Sequence, residues 1–140
     1  MFILDTNVVS ELRKIRLDQA DKNVARWADS VDSTDLYLSA LTVQELEMSI
    51  LLAERRDAPQ GKLLRAWFDR HVLPAFTNRI LPVDQVVAKR SAALHLPDPR
   101  PVVDALIAAT GLVHGMTVVT RNVTDFQSFG VSLLNPWNVQ

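Results

Sequence analysis

The sequence predicts an α/β domain: a parallel β-sheet covered by helices on both faces. Two observations predict it. Short apolar runs alternate along the whole chain with longer segments whose apolar residues fall at helical spacing. No internal repeat, low-complexity tract or linker interrupts that alternation, so residues 1–140 are expected to form one domain. Strands connected through helices pair in parallel, because such a crossover returns the chain to the same edge of the sheet.

Phe2-Ile3-Leu4 is the first strand. It ends at Asp5-Thr6-Asn7, polar residues able to cap the helix that opens at Val8-Val9-Ser10-Glu11-Leu12. Val24, Trp27, Ala28 and Val31 predict an amphipathic helix over about residues 20–31, and Leu36-Tyr37-Leu38-Ser39 a second strand. Thr42 is expected to open a long helix with Val43, Leu46, Ile50 and Ala53 on its apolar face, broken at Pro59-Gln60-Gly61. The next helix carries Leu64, Trp67, Phe68, His71 and Val72 in one stripe. Arg79-Ile80-Leu81-Pro82-Val83 is a third strand, and Asp84 caps a helix that runs to about Leu96. Pro97-Asp98-Pro99-Arg100-Pro101 is the clearest loop. Pro101 suits the first turn of the following helix, where a missing N–H loses no hydrogen bond. That helix stops at His114-Gly115, before a fourth strand, Met116-Thr117-Val118-Val119-Thr120, and a short fifth, Val131-Ser132-Leu133-Leu134.

Composition narrows the chemistry. The longest apolar runs are only a few residues, too short for a bilayer, so no membrane partner is expected. The opening Met1-Phe2-Ile3-Leu4-Asp5 lacks the basic start and long apolar stretch of a secretory signal, and the expected location is cytoplasmic. There are no cysteines, which removes disulfides, thiolate nucleophiles and sulfur-rich zinc sites. His71, His95 and His114 are too scattered for a local metal motif, so any metal must rest on oxygen ligands, which suits magnesium or manganese. A net charge of −1 argues against indiscriminate binding to polyanions. Fourteen of the fifteen Lys and Arg residues lie at or before Arg100, leaving Arg121 alone after it. Arg13-Lys14-x-Arg16 and Arg55-Arg56 can meet phosphates or simply form solvated helix faces.

Four acids stand out by position. Asp5 ends the first strand, and ligand crevices of open α/β sheets lie beyond the carboxyl ends of strands; it can equally cap the next helix with Asn7. Glu45 completes Thr42-x-x-Glu45, which reads either as a capping box or as a functional carboxylate, whereas Glu47 and Glu54 are expected to face solvent. Asp104 suits the dipole of the helix it opens. It shares a face with Ala108 and Gly111, beside a core face of Val103, Leu106, Ile107, Thr110 and Val113. Asp125 closes Thr120-Arg121-Asn122-Val123-Thr124-Asp125-Phe126, a polar turn leaving the fourth strand. Converging in one crevice, these acids would repel one another, and a divalent cation would remove the conflict.

Phe2-Ile3-Leu4-Asp5-Thr6-Asn7, Ser39-x-x-Thr42-x-x-Glu45, Asp104-Ala105-Leu106-Ile107-Ala108-Ala109, Thr120-Arg121-Asn122-x-x-Asp125-Phe126 and the closing Asn135-Pro136-Trp137 occur in an order that resembles PIN-domain proteins. The likeness is greatest to the VapC-type toxin ribonucleases and their FitB-like relatives, and it covers essentially the whole chain. It implies a three-layer α/β/α fold with a five-stranded parallel sheet, Mg²⁺- or Mn²⁺-dependent RNA cleavage and a homodimer. It also implies a cognate antitoxin that blocks the site and carries the complex to operator DNA. Asp5, Glu45, Asp104 and Asp125 carry over onto the family's acidic quartet, catalytic and metal-holding at once; Thr6, Asn7, Thr120 and Asn122 match supporting positions. Many relatives approach the third acid through a glycine-containing segment. Here Pro99-Arg100-Pro101-Val102-Val103 takes its place and alters the approach to Asp104.

Two rivals follow from the same residues. A haloacid-dehalogenase-like phosphatase also starts with a strand-end Asp, but needs a second Asp two residues on, where this chain has Asn7. A catalytically silent module that binds nucleic acid or an antitoxin would use the amphipathic helices over residues 42–76.

Overall fold

The structure, a computed structural model, describes residues 1–139. Five strands, β1 (Phe2–Leu4), β2 (Leu36–Ser39), β3 (Ile80–Leu81), β4 (Thr117–Val119) and β5 (Leu133–Leu134), pair in parallel in the order β3-β2-β1-β4-β5. Side chains along a strand point alternately to its two faces, and the core divides accordingly. Leu4, Leu36, Leu38 and Val119 join one cluster of buried residues, while Ile3 and Val118 join another. Helices cover both, giving three α/β/α layers.

The first face is covered by α1 (Thr6–Arg13), α2 (Lys22–Ser30), α3 (Ala40–Arg56) and α4 (Ala58–Trp67). The last continues through a π-helical stretch (Phe68–Val72) into one further turn, α5 (Leu73–Ala75). Val8, Val9, Trp27, Leu46, Ile50, Phe68 and Val72 are their buried contributions. The second face is covered by α7 (Val102–His114) and α8 (Val123–Phe126), through Ala105, Ile107, Ala108 and Phe126; α6 (Gln85–Leu94) adds Leu94 at its margin. Asp21 and Asp84 cap α2 and α6 with their side chains, and Gly115, at φ 67°, ends α7 in the left-handed region that glycine adopts without a Cβ clash.

Several expectations are corrected. The break after α3 falls at Asp57, not at Pro59-Gln60-Gly61. Asp57 turns out of helical geometry and caps α4 by accepting the Gln60 N–H at 3.2 Å, so Pro59 and Gly61 lie inside α4. Proline is tolerated in a first turn because its missing N–H has no partner there. The stripe from Leu64 to Val72 packs as expected except at His71, which is exposed because the π-helical turn rotates it away from the core, against Arg16. Pro101 precedes α7 as its N-cap instead of starting it. Val103, Leu106 and Val113 are only partly buried, and α7 buries instead a continuous run from Ile107 to Gly111. Glu47 and Glu54 remain partly exposed, as expected, but are also paired. Arg65 of α4 donates Nη1 to Glu47 Oε1 at 2.7 Å and Nη2 to Oε2 at 2.5 Å, and Nε to Glu54 Oε2 at 3.3 Å. Two-pronged guanidinium–carboxylate contacts of this kind fix relative orientation as well as distance.

Among the described residues no helix is long and apolar enough to cross a membrane.

The α3–α4 pair depends on Gly61. A Cβ there would stand 2.5 Å from the Glu54 Cα, a backbone atom that cannot yield without parting the helices. Gly61→Ala is expected to destabilise the protein by about 1–3 kcal/mol in urea unfolding; an unchanged midpoint would show that the two helices separate freely.

Candidate active site

From β1 the sheet grows one way to β2 and β3 and the other way to β4 and β5. At such a switch point the connections diverge and leave a crevice beyond the strands' carboxyl ends. Asp5 enters it directly. Its backbone N–H donates to the Val119 carbonyl at 2.9 Å, extending the β1–β4 pairing by one residue and fixing its main chain. The side chain is only 7% exposed, so its charge must be met by protein donors. Oδ1 accepts the Thr6 N–H at 2.9 Å; Oδ2 accepts the Thr120 hydroxyl at 2.8 Å and the Asn7 Nδ2 at 3.3 Å. Asp5 thus caps α1 with one oxygen and reaches across to the β4 exit with the other.

Glu45 is brought in by the first turns of α3, and the expected capping box is absent. Ser39, fully buried at the end of β2, already has extended backbone angles, and its Oγ accepts the Leu41 N–H at 3.0 Å. The helix therefore starts at Ala40, and Thr42 lies inside it. Released from capping, the Glu45 carboxylate accepts the Thr6 hydroxyl at 2.5 Å. Thr6 consequently ties α1 to α3 and sets Glu45 beside Asp5. Thr42 is fully buried, and its Oγ1 has no hydrogen-bond partner in the structure. Ser39 was readable as the cap from its place at a strand end, whereas the Thr6–Glu45 bond joins residues 39 apart and has no local signature.

Asp104 stands in the first turn of α7. That helix lies close on the sheet because its inner face is small: a Cβ on Gly111 would meet Val131 Cγ2 at 3.1 Å and Val118 Cγ2 at 3.2 Å. Asp104 is half-buried at the crevice. Burial, then the charges of Asp5, Asp125 and Glu45, push its carboxyl up to about 6. All three other acids act on it, so the four candidates share one electrostatic neighbourhood.

Asp125 is exposed at the rim. The turn that carries it is built on Thr120, whose hydroxyl donates to Asp5 while accepting the Asn122 N–H at 3.0 Å. Asn122 then accepts the Asp125 N–H at 3.0 Å through its own carbonyl. Asn7 spans both sides: its Nδ2 donates to Asp5 and its Oδ1 accepts the Arg121 N–H at 3.2 Å. Of the four supporting candidates, Thr6, Asn7 and Thr120 therefore act through side chains, and Asn122 through its backbone, with no capping bond from its side chain. The histidines serve elsewhere. His71 meets Arg16, His95 accepts the Arg100 N–H at 3.0 Å, and His114 ends α7, ten residues from Asp104.

Among the described residues no three acids or histidines are arranged to grip a single ion as they stand. The donor set nonetheless fits a hard divalent cation. It is all oxygen and clustered, and burial together with the charges of its neighbours raises the Asp104 carboxyl, the mark of a site short of positive charge. Mg²⁺ in particular takes one or two carboxylates directly and keeps several of its waters, so a loose ring of acids suits it better than a closed cage.

The PIN-domain family matches residues 2–130 of the chain. The toxin FitB of Neisseria gonorrhoeae is 36% identical, with 99% of each chain covered, and the VapC ribonuclease Y4jK of Sinorhizobium fredii is 38% identical, with 98% of each covered. The solved structure of FitAB bound to a DNA fragment superposes with a TM-score of 0.88 at 34% identity, over 100% of this chain and 98% of that one.

Two measurements check this geometry. A carboxyl NMR titration of metal-free protein should place the Asp104 midpoint near 6, moving down when Mg²⁺ is added. Asp104 binds its proton more tightly folded than unfolded, so it supports the fold fully below its ordinary value of 3.8, and that support is lost as pH rises through about 6. Separately, Thr42→Val removes the partnerless hydroxyl at nearly constant shape. It should raise stability by roughly 1 kcal/mol in urea unfolding; a loss instead would show that an ordered water satisfies the oxygen.

Proposed function

The chain belongs to the PIN-domain family, and on that premise we propose that it is the toxin of a toxin–antitoxin pair, a single-domain endoribonuclease dependent on Mg²⁺ or Mn²⁺. The supporting observation is the gathering of Asp5, Glu45, Asp104 and Asp125, from four distant segments, around one crevice at the β1–β4 switch point.

Asp5, Glu45, Asp104 and Asp125 would hold the cation. When bound, it supplies Lewis acidity toward water and phosphate oxygen and cancels the repulsion within the quartet. The chain's own residues divide the remaining work. Thr6, Asn7 and Thr120 each donate to the Asp5 carboxylate and so keep it from rotating. Thr6 does the same for Glu45. Asp104 has no hydrogen bond among its influences, so its carboxylate is available to orient the attacking water. Water adds to phosphorus in line, the P–O3′ bond breaks, and the products are a 5′-phosphate and a 3′-hydroxyl. No histidine is required.

The partners in this reading are RNA as substrate, a cognate antitoxin that covers the crevice, operator DNA reached only through the toxin–antitoxin complex, and a second copy of the chain in a homodimer. The solved structure of FitAB bound to a DNA fragment supports the reading that DNA is reached as a complex. The expected compartment is the cytoplasm.

The purified protein should cleave single-stranded RNA only with Mg²⁺ or Mn²⁺ and stop on adding EDTA. Asp5→Asn should lower the rate at least about a hundredfold while circular dichroism and the thermal midpoint persist. Wild-type-like cleavage by Asp5→Asn would refute the quartet's role. Absence of cleavage by the wild type, with antitoxin binding intact, would leave a silent binding module.

A further inference from the structure

The turn that carries Asp125 also carries the one cation placed after Arg100. The main chain of Arg121 is clamped from both sides: its N–H donates to Asn7 Oδ1 at 3.2 Å, and its carbonyl accepts the Asn135 Nδ2 at 3.4 Å. The guanidinium lies over the ring of Trp137, with Cζ 5.1 Å from the centroid. Trp137 is itself anchored. Its N–H donates to Asn135 Oδ1 at 2.9 Å, its carbonyl accepts the Asn23 Nδ2 at 2.8 Å, and the residue packs against the core cluster that includes Leu4, Val8 and Trp27. Asn135-Pro136-Trp137 thus builds a platform beside the acidic crevice, and Arg121 rests on it.

Charge decides what such a residue is for. Four ionised carboxylates and one divalent cation leave the crevice at about −2, while every nucleotide of RNA adds one negative charge, so approach of the strand is repulsive unless a cation flanks the site. A cation paired with the quartet would be consumed by it. Arg121 is exposed, and among the described residues it forms no ion pair, although Asp125 is only four positions away. A guanidinium over an aromatic ring is held by its face and keeps its N–H donors for a phosphate, which it can meet with two parallel bonds. Arg100, on the approach to Asp104, is the other nearby cation by sequence, but only its backbone N–H is engaged, with His95.

We propose that Arg121, propped on Trp137, is the phosphate-binding residue that docks the RNA strand against the acidic crevice. The assignment rests on the ribonuclease reading above and adds the residue that receives the substrate.

The test uses full-length Asp5→Asn protein, so that RNA survives, and follows binding of a fluorescent single-stranded RNA oligonucleotide by anisotropy across a salt series with Mg²⁺ present. Adding Arg121→Gln should weaken binding roughly tenfold and flatten the slope of log affinity against log salt by about 0.7, the value for one phosphate contact on a single strand. Arg121→Lys should keep the salt slope but recover only part of the affinity. Trp137→Leu should weaken binding with the slope retained, and Arg100→Gln should change little. In otherwise wild-type protein, Mn²⁺ affinity measured by calorimetry should be unaffected by Arg121→Gln. Unchanged RNA affinity in Arg121→Gln, an equal loss in Arg100→Gln, or a parallel loss of Mn²⁺ binding would each overturn the assignment. If wild-type protein cleaves RNA but Arg121→Gln binds it normally, the nuclease reading survives and Arg121 loses its role; if wild type neither binds nor cleaves RNA, both fall.

Discussion

Repulsion among carboxylates is the constraint to which the rest of this molecule answers. Four acids near one another oppose folding unless something compensates, and the protein compensates them unequally. Asp5, the most buried, receives three donors. Glu45 receives one hydroxyl. Asp104, half-buried, has no such relief and gives up its charge at about 6. Asp125 is left to solvent. The gradient runs from a fixed, solvated-by-protein carboxylate to one in electrostatic distress, and a divalent ion is the species that relieves the distressed end without displacing the donors at the other.

The scaffold supplies the force that holds the acids there. Glu45 keeps its place because α3 is secured along its length: Ser39 caps its start, Arg65 bridges Glu47 and Glu54, and Gly61 lets α4 lie against its last turns. Asp104 keeps its place because the small inner face of α7 lets that helix settle onto β4 and the segment before β5. Asp5 needs neither device, since it is the next rung of the β1–β4 ladder. These three acids are thus positioned by packing or backbone pairing, both far stronger in sum than the repulsion they overcome.

Much of this was legible in the amino-acid sequence, for identifiable reasons. All five strands and the Gly115 stop were readable because apolar runs and left-handed caps leave local marks. The role of Glu45 was ambiguous because Ser39 and Thr42 both resemble helix starts, and spacing cannot say which one the strand end presents to the helix. Glu47 and Glu54 face solvent as expected, but their pairing was not legible because their partner, Arg65, sits on another helix. Gly61 looked like a breaker because a glycine needed for close approach and one that ends a helix are the same residue on paper. The meeting of the four acids was beyond the sequence's own patterns. It depends on β1 pairing with β4, and strand order is set by packing of the whole chain rather than by any segment of it; only the resemblance to a known family supplied it.

The bond between Thr120 and Asp5 spans 115 positions. On the ribosome Asp5 is made well before β4 and the turn beyond it. Until then β1 lacks its inner neighbour, the crevice has only one wall, and the acids belong to separate pieces of polypeptide. Segments that depend on distant pairing organise late. The acidic crevice is therefore complete only once β4 has been made and has paired with β1.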